Sequence, residues 1–131
     1  MAKNKIKIGI DIDDTITATI ESMVFFSLIT NSLKDKAKIY IITNRDKSKE
    51  SIYNIEEELS HLNIYFDELI VTAKKEKAIL DNSISIYFDD TDEYFQNLPE
   101  TVTVFKIRES GNFDFNKNKW VYDKNTGIDI G

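Results

Sequence analysis

The chain has 131 residues, 41% of them hydrophobic, which is the size of one domain with enough apolar side chain to fill one core. A formal net charge of −6 argues against a protein that coats nucleic acid or anionic membrane through bulk charge, so nucleic acid is an unlikely partner. The lack of cysteine excludes disulfide frameworks, zinc–thiolate centres and thiol catalysis, and a single histidine, His61, excludes multi-histidine metal sites.

In chain order, the first apolar run is Ile6 to Ile10, preceded by lysines. Lys7 interrupts it and Asp11 ends it, so it is too short for a secretory leader. No stretch approaches the roughly 18 apolar residues that would span a bilayer. The chain therefore reads as soluble and cytoplasmic, with no membrane partner. Four more β-rich runs follow: Lys38 to Ile42, Glu68 to Val71, Ser85 to Phe88 and Val102 to Ile107. Several are apolar throughout, as strands buried on both faces are.

Helical patterns fall between the runs. Glu21 to Leu33 carries Val24, Phe25, Leu28 and Ile29. Ser48 to Leu62 sets Ile52, Ile55, Leu59 and Leu62 on one stripe. Lys75 to Asn82 is short, and Asp92 to Leu98 is a single turn that stops before Pro99. This alternation predicts an α/β fold: a Rossmann-like three-layer sandwich with a mainly parallel five-stranded sheet. One domain is expected over 1–131, with a core over 5–107 and a C-terminal arm over 108–131. Within the arm, Lys124-Asn125-Thr126-Gly127 suits the turn of a terminal hairpin.

Ligands of open α/β sheets bind at the carboxyl ends of the strands. The first predicted strand leads into Asp11-Ile12-Asp13-Asp14-Thr15, the second into Thr43-Asn44-Arg45, the third into Lys74, Lys75 and Lys77, and the fourth into Asp89-Asp90. Acids, a hydroxyl and a lysine thus gather at one edge, while the strands carry almost nothing polar. Two carboxylates about 4 Å apart repel by about 4 kcal/mol at an effective dielectric of 20. Such a cluster must take up protons or a cation. Its all-oxygen donors favour Mg2+ over Mn2+ or Ca2+. Mg2+, a lysine and a hydroxyl together trap a phosphoryl group.

This order resembles the haloacid dehalogenase-like superfamily of aspartate-nucleophile phosphatases. The resemblance rests on Ile8-Gly9-Ile10-Asp11-Ile12-Asp13-Asp14-Thr15, on Ile39-Tyr40-Ile41-Ile42-Thr43, on Lys77 near the start of a helix, and on Ile86-Tyr87-Phe88-Asp89-Asp90. It spans Ile6 to Asp90. It implies a Mg2+-dependent phosphomonoester hydrolase, active on a small nucleotide or sugar phosphate through an aspartyl-phosphate. Asp11 would be the nucleophile and Asp13 the proton donor. Thr43 and Lys77 would hold the phosphoryl oxygens. Asp11, the carbonyl of Asp13, Asp89 and Asp90 would hold the metal. Asp14, Thr15, Asn44 and Arg45 would contact substrate. Lys74 is the second choice for the lysine.

Taken singly, each motif has a plainer reading: solvated turns for the acids, an N-cap for Thr43, an exposed face for the lysines. Arg45 is equally suited to a remote phosphate and to pairing with Glu50 or another acid. The intervals Ile16 to Ile42 and Asn44 to Glu76 leave no room for a cap domain. The site is therefore expected to be open, suited to a macromolecular phosphate or to closure by a second subunit. A receiver-type signalling domain would place its Thr and its acid pair at other strands. A non-catalytic module that holds a phosphorylated ligand is the remaining alternative.

Overall fold

Short runs of four to seven mainly apolar residues build the centre of the protein, most deeply buried in the strand next to the first. The computed structural model describes residues 5–121. The elements are β1 (Ile6–Ile10), α1 (Ile20–Leu33), β2 (Ala37–Thr43), α2 (Lys49–His61), β3 (Glu68–Val71), α3 (Lys75–Asp81), β4 (Ile86–Asp89), β5 (Thr103–Lys106), β6 (Phe113–Asp114) and β7 (Lys119–Trp120). The first five strands form one sheet in the order β3-β2-β1-β4-β5, all parallel. The strand order reverses beside β1, so the carboxyl ends of β1, β2 and β4 frame the cleft where α/β folds bind ligands.

Two cores fill the sandwich. On one sheet face Ile8, Ile10, Ile39 and Ile41 pack with Phe26 of α1 and with Ile55 and Leu59 of α2. On the other, Tyr40, Ile42, Ile84 and Tyr87 pack with Ile79 of α3. Gly9 serves this second core, because a Cβ there would lie 2.9 Å from the Tyr87 ring and 3.2 Å from Ile42. α1 and α2 start where their sequences supply a cap: the Thr19 and Ser48 hydroxyls accept hydrogen bonds from the backbone N–H groups of Ser22 and Ser51.

The predicted strands and helices are present, with two differences. In α1 the buried side chains are Phe26 and Thr30, whereas Val24, Phe25 and Leu28 of the expected stripe are exposed. The helix is apolar nearly all round, so periodicity does not select its inner face. The turn before Pro99 shortens to Asp92–Tyr94. The arm carries a hairpin, β6–β7, upstream of the one expected; it is closed by Phe115 to Asn118, with Asp114 Oδ1 accepting from the N–H groups of Asn116 and Lys117. The turn expected at Lys124 to Gly127 lies outside the described residues. Among the described residues no helix is long and apolar enough to cross a membrane.

Candidate functional site: an acid–lysine centre at the carboxyl edge

β1 ends in Asp11, and the chain then makes one wide turn over Ile12–Ile16, broken at Asp13 and Asp14, where Asp14 takes a left-handed φ of 57°. This turn buries Ile12, Thr15 and Ile16 and leaves Asp13 and Asp14 facing out. Thr15 Oγ1 donates to Asp11 Oδ2 at 3.0 Å. β4 delivers Asp89, followed directly by Asp90. One carboxylate oxygen from each of Asp11, Asp89 and Asp90 lies within 4.8 Å of the others, and all three residues are buried.

Lys75 is the cation among them. Its Nζ donates to Asp11 Oδ1 at 2.6 Å and to Asp89 Oδ2 at 3.1 Å, and it lies 4.4 Å from the centre of the Tyr94 ring. Only 2% of its side chain is exposed. Asp89 is saturated: Oδ1 accepts from the N–H groups of Asp90 and Thr91, and Oδ2 accepts from Lys75 and the Tyr87 hydroxyl. Asp11 and Asp90 keep free lone pairs, which makes them the more available cation ligands. Burial, and then repulsion from Asp89, raises Asp11 from its ordinary 3.8 to about 7, against the pull of Lys75 and Thr15. Burial and the contact with Asp89 raise Asp90 to about 8. Burial works to lower Lys75, but Asp11 and Asp89 outweigh it and raise it. One ammonium thus leaves three carboxylates undercompensated.

The centre opens into a depression of about 140 Å3 whose walls include Asp11, Asp13, Asp14, Lys75, Asp90 and Tyr94. That holds a phosphoryl group and a few waters at about 30 Å3 each, but it is too small to enclose a whole ligand, for which about 300 Å3 or more is usual. At the end of β2, one residue before Asn44, which lines the depression, Thr43 is fully buried and its Oγ1 has no hydrogen-bond partner. An orphaned hydroxyl of this kind costs roughly 1–3 kcal/mol unless something reaches it.

Several expected roles need correction. Lys77 is not in the site: its side chain is 68% exposed and pairs with Asp81 along α3 at 2.6 Å. Lys74 precedes α3, its backbone N–H bonded to Thr72 Oγ1. Lys75 takes the place because it shares a helical stripe with buried Ile79. Asp13 reaches only the rim, where Arg45 grips both its oxygens at 2.7 and 3.0 Å. The guanidinium also reaches Glu58 at 2.7 Å, so Arg45 takes the ion-pairing role, with Asp13 and with Glu58 of α2 as the acids and not Glu50. Thr15 is fully buried, and its hydroxyl is committed to Asp11. The Asp14 N–H is taken by Thr17 Oγ1, and Asn44 donates to the Tyr94 hydroxyl at 2.9 Å.

Three contributors were not foreseen besides Lys75. Tyr87 stands two residues before Asp89 on the same strand face, a spacing the sequence displays. Tyr94 flanks Lys75. Asn112 ties the arm to the site: fully buried, it donates to the carbonyls of Asp90 at 3.0 Å and Ile107 at 2.8 Å, and accepts from the Glu109 N–H at 2.8 Å. The arm thereby brings Glu109 to within 4.8 Å of Asp14 and Asp90.

No family model matches the chain. No curated protein matches it either. Among solved structures it is similar to a universal stress protein in complex with cAMP, at 11% identity and a TM-score of 0.48, over 81% of this chain and 98% of that one. The matching structure is not a haloacid dehalogenase-like phosphatase. None of these comparisons shows the haloacid dehalogenase-like family or the Mg2+-dependent phosphomonoester hydrolase that the motifs led one to expect, and neither is assigned to the chain. A likeness of this degree carries no ligand across. What the chain holds at its carboxyl edge is read from its own side chains.

Proposed function

We propose that the acid–lysine centre is a divalent-cation-assisted binding site for the terminal phosphoryl group of a small ligand, without turnover. The observation that carries this reading is the buried triad of Asp11, Asp89 and Asp90 around a single Lys75, with the unpartnered hydroxyl of Thr43 at the same carboxyl edge of the sheet, at the end of the neighbouring strand β2. Three carboxylates against one ammonium must take up protons, as the raised Asp11 and Asp90 do, or a cation in their place. The donors are all hard oxygens, which suits Mg2+. Asp11 and Asp90 would hold the ion, with Asp89 fixed behind them by Tyr87 and two backbone N–H groups. When bound, the ion would neutralise the carboxylates and supply positive charge to an anion. Lys75 and Thr43 would then face phosphoryl oxygens, and the small depression leaves the rest of the ligand outside.

Calorimetric titration of the full chain tests this reading. Mg2+ is expected to bind first. Phosphate and phosphomonoesters should bind only in its presence, and better than a cyclic diester, whose single charge uses less of the site. Thr43→Val should weaken phosphate binding about 5–30-fold, corresponding to the roughly 1–2 kcal/mol of one hydroxyl contact, with no loss of stability. The reading is overturned if neither Mg2+ nor phosphate binds. Inorganic phosphate accumulating from a bound monoester would overturn it too, by showing chemistry at the centre.

A further inference from the structure

The sheet face that carries α1 and α2 is not covered to its edge. α1 packs with β1 and β2, but beyond it Phe88 is only partly buried and Phe105 on β5 is 49% exposed. α1 itself presents Ile20, Val24, Phe25 and Leu28 to solvent, 73%, 53%, 49% and 64% exposed. These are not scattered residues. Phe25, Phe26, Phe88 and Phe105 form an unbroken ladder of rings, with centroids 5.2, 5.3 and 4.9 Å apart, leading from the outer face of α1 to the edge strand. Between α1 and this strand pair lies a cavity of about 220 Å3, lined by Ile29, Leu33, Ile86, Phe88 and Phe105 among others.

We propose that this face joins two copies of the chain about a two-fold axis, with α1 of each copy against α1 and the β4–β5 edge of the other. Side chains this large and this exposed amount to on the order of 600 Å2 of apolar surface, at the top of what monomers leave exposed. With a polar rim, that approaches the roughly 800 Å2 per partner of a stable pair. A projecting apolar helix and an apolar groove lie side by side on the same surface, which is the self-complementarity that an isologous contact needs. α1 carries a single charged residue, Glu21, and no lysine or arginine. It therefore lacks both the charge code that selects a different protein and the basic polar face that holds an amphipathic helix on a membrane.

Light scattering of the full chain over a concentration series tests the proposal. The wild type should run as a dimer. Leu28→Glu and Phe105→Lys, both at exposed positions, should each weaken pairing by at least about 100-fold, as loss of a central contact does. Leu80→Glu on α3, exposed on the opposite side of the sheet, should not. Because the chain has no cysteine, Val24→Cys carries a single spin label, and the dimer should give one short label-to-label distance. A wild type that stays monomeric overturns the proposal and assigns the face to another protein or to lipid. So does a dimer that survives both charge substitutions or shows no short distance, since it would be built on a different surface.

Discussion

The acid–lysine centre should make the cation-free protein less stable than it could be, and Asp11→Asn should reveal this. Burial and Asp89 raise the Asp11 carboxyl from 3.8 to about 7 in the folded protein. A rise of that size corresponds to about 4 kcal/mol against keeping the folded carboxylate ionised at higher pH. The sign follows from proton counting. Between about pH 4 and pH 7 the folded chain holds more of this proton than the unfolded chain, so stability falls as pH rises through that window. Asp90, raised to about 8, extends the decline, and the two titrate as a pair.

Asparagine at position 11 removes the charge but also the 2.6 Å contact with Lys75, and it turns part of its amide toward that ammonium. The expected net effect is a gain of about 1–3 kcal/mol near pH 8 without cation, or very roughly 3–12 °C in Tm for a chain this size. Near pH 5 the gain should vanish, because there the folded wild type is already protonated at this site. Mg2+ should reverse the ranking by stabilising the wild type and leaving the variant almost unmoved. Thermal denaturation followed by circular dichroism, at both pH values, with chelator and with Mg2+, decides the matter. If Asp11→Asn is no more stable than the wild type near pH 8 in chelator, and both respond equally to Mg2+, the three carboxylates are not competing for too little positive charge.

Lys75→Met should cost about 3–5 kcal/mol near neutral pH, because it leaves Asp11 and Asp89 buried without their cation; acid or Mg2+ should recover much of the loss in a melting assay. Lys77→Met, at an exposed ion pair, should change stability by less than about 0.5 kcal/mol and leave phosphate binding intact. Asn112→Ala strands two carbonyls and an N–H, and should cost about 2–4 kcal/mol by urea denaturation. Calorimetry of the surviving folded protein should also show weaker Mg2+ binding, since Asp90 loses the contact that fixes its backbone.

The fold was legible because its signals are local and repeated. Five short apolar runs separated by helix-length segments leave few arrangements other than a parallel sheet. The acids of the site were legible for the same reason, since a strand end fixes where the next residue stands. Asp11 and Asp89 each complete a buried strand and can only emerge at the carboxyl edge. The lysine was not legible by that rule, because a helix start fixes a position along the axis but not a direction around it. Direction is set by the buried stripe. In α3 Ile79 is the one buried apolar residue, and stepping back one turn from it lands on Lys75, whereas Lys77 shares the outward side with Leu80 and Asp81.

Asn112 and Tyr94 were illegible for a different reason. They reach the site from segments whose sequence shows no period, and only the tertiary fold brings them there. The same rule about helix faces explains α1. Val24, Phe25, Phe26, Leu28 and Ile29 give it two apolar faces, so the sequence offers no way to choose the inner one. The sheet selects Phe26 and Thr30, and the other face is left in solvent. A helix apolar on both sides has one of two explanations. Either the sequence is poorly patterned at that element, or both sides are buried in the working state. Elsewhere the patterning is disciplined: α2 buries Ile55 and Leu59 and surrounds them with glutamates. A chain that polarises one helix so cleanly gives good reason to read the second apolar face of α1 as a surface meant to be covered.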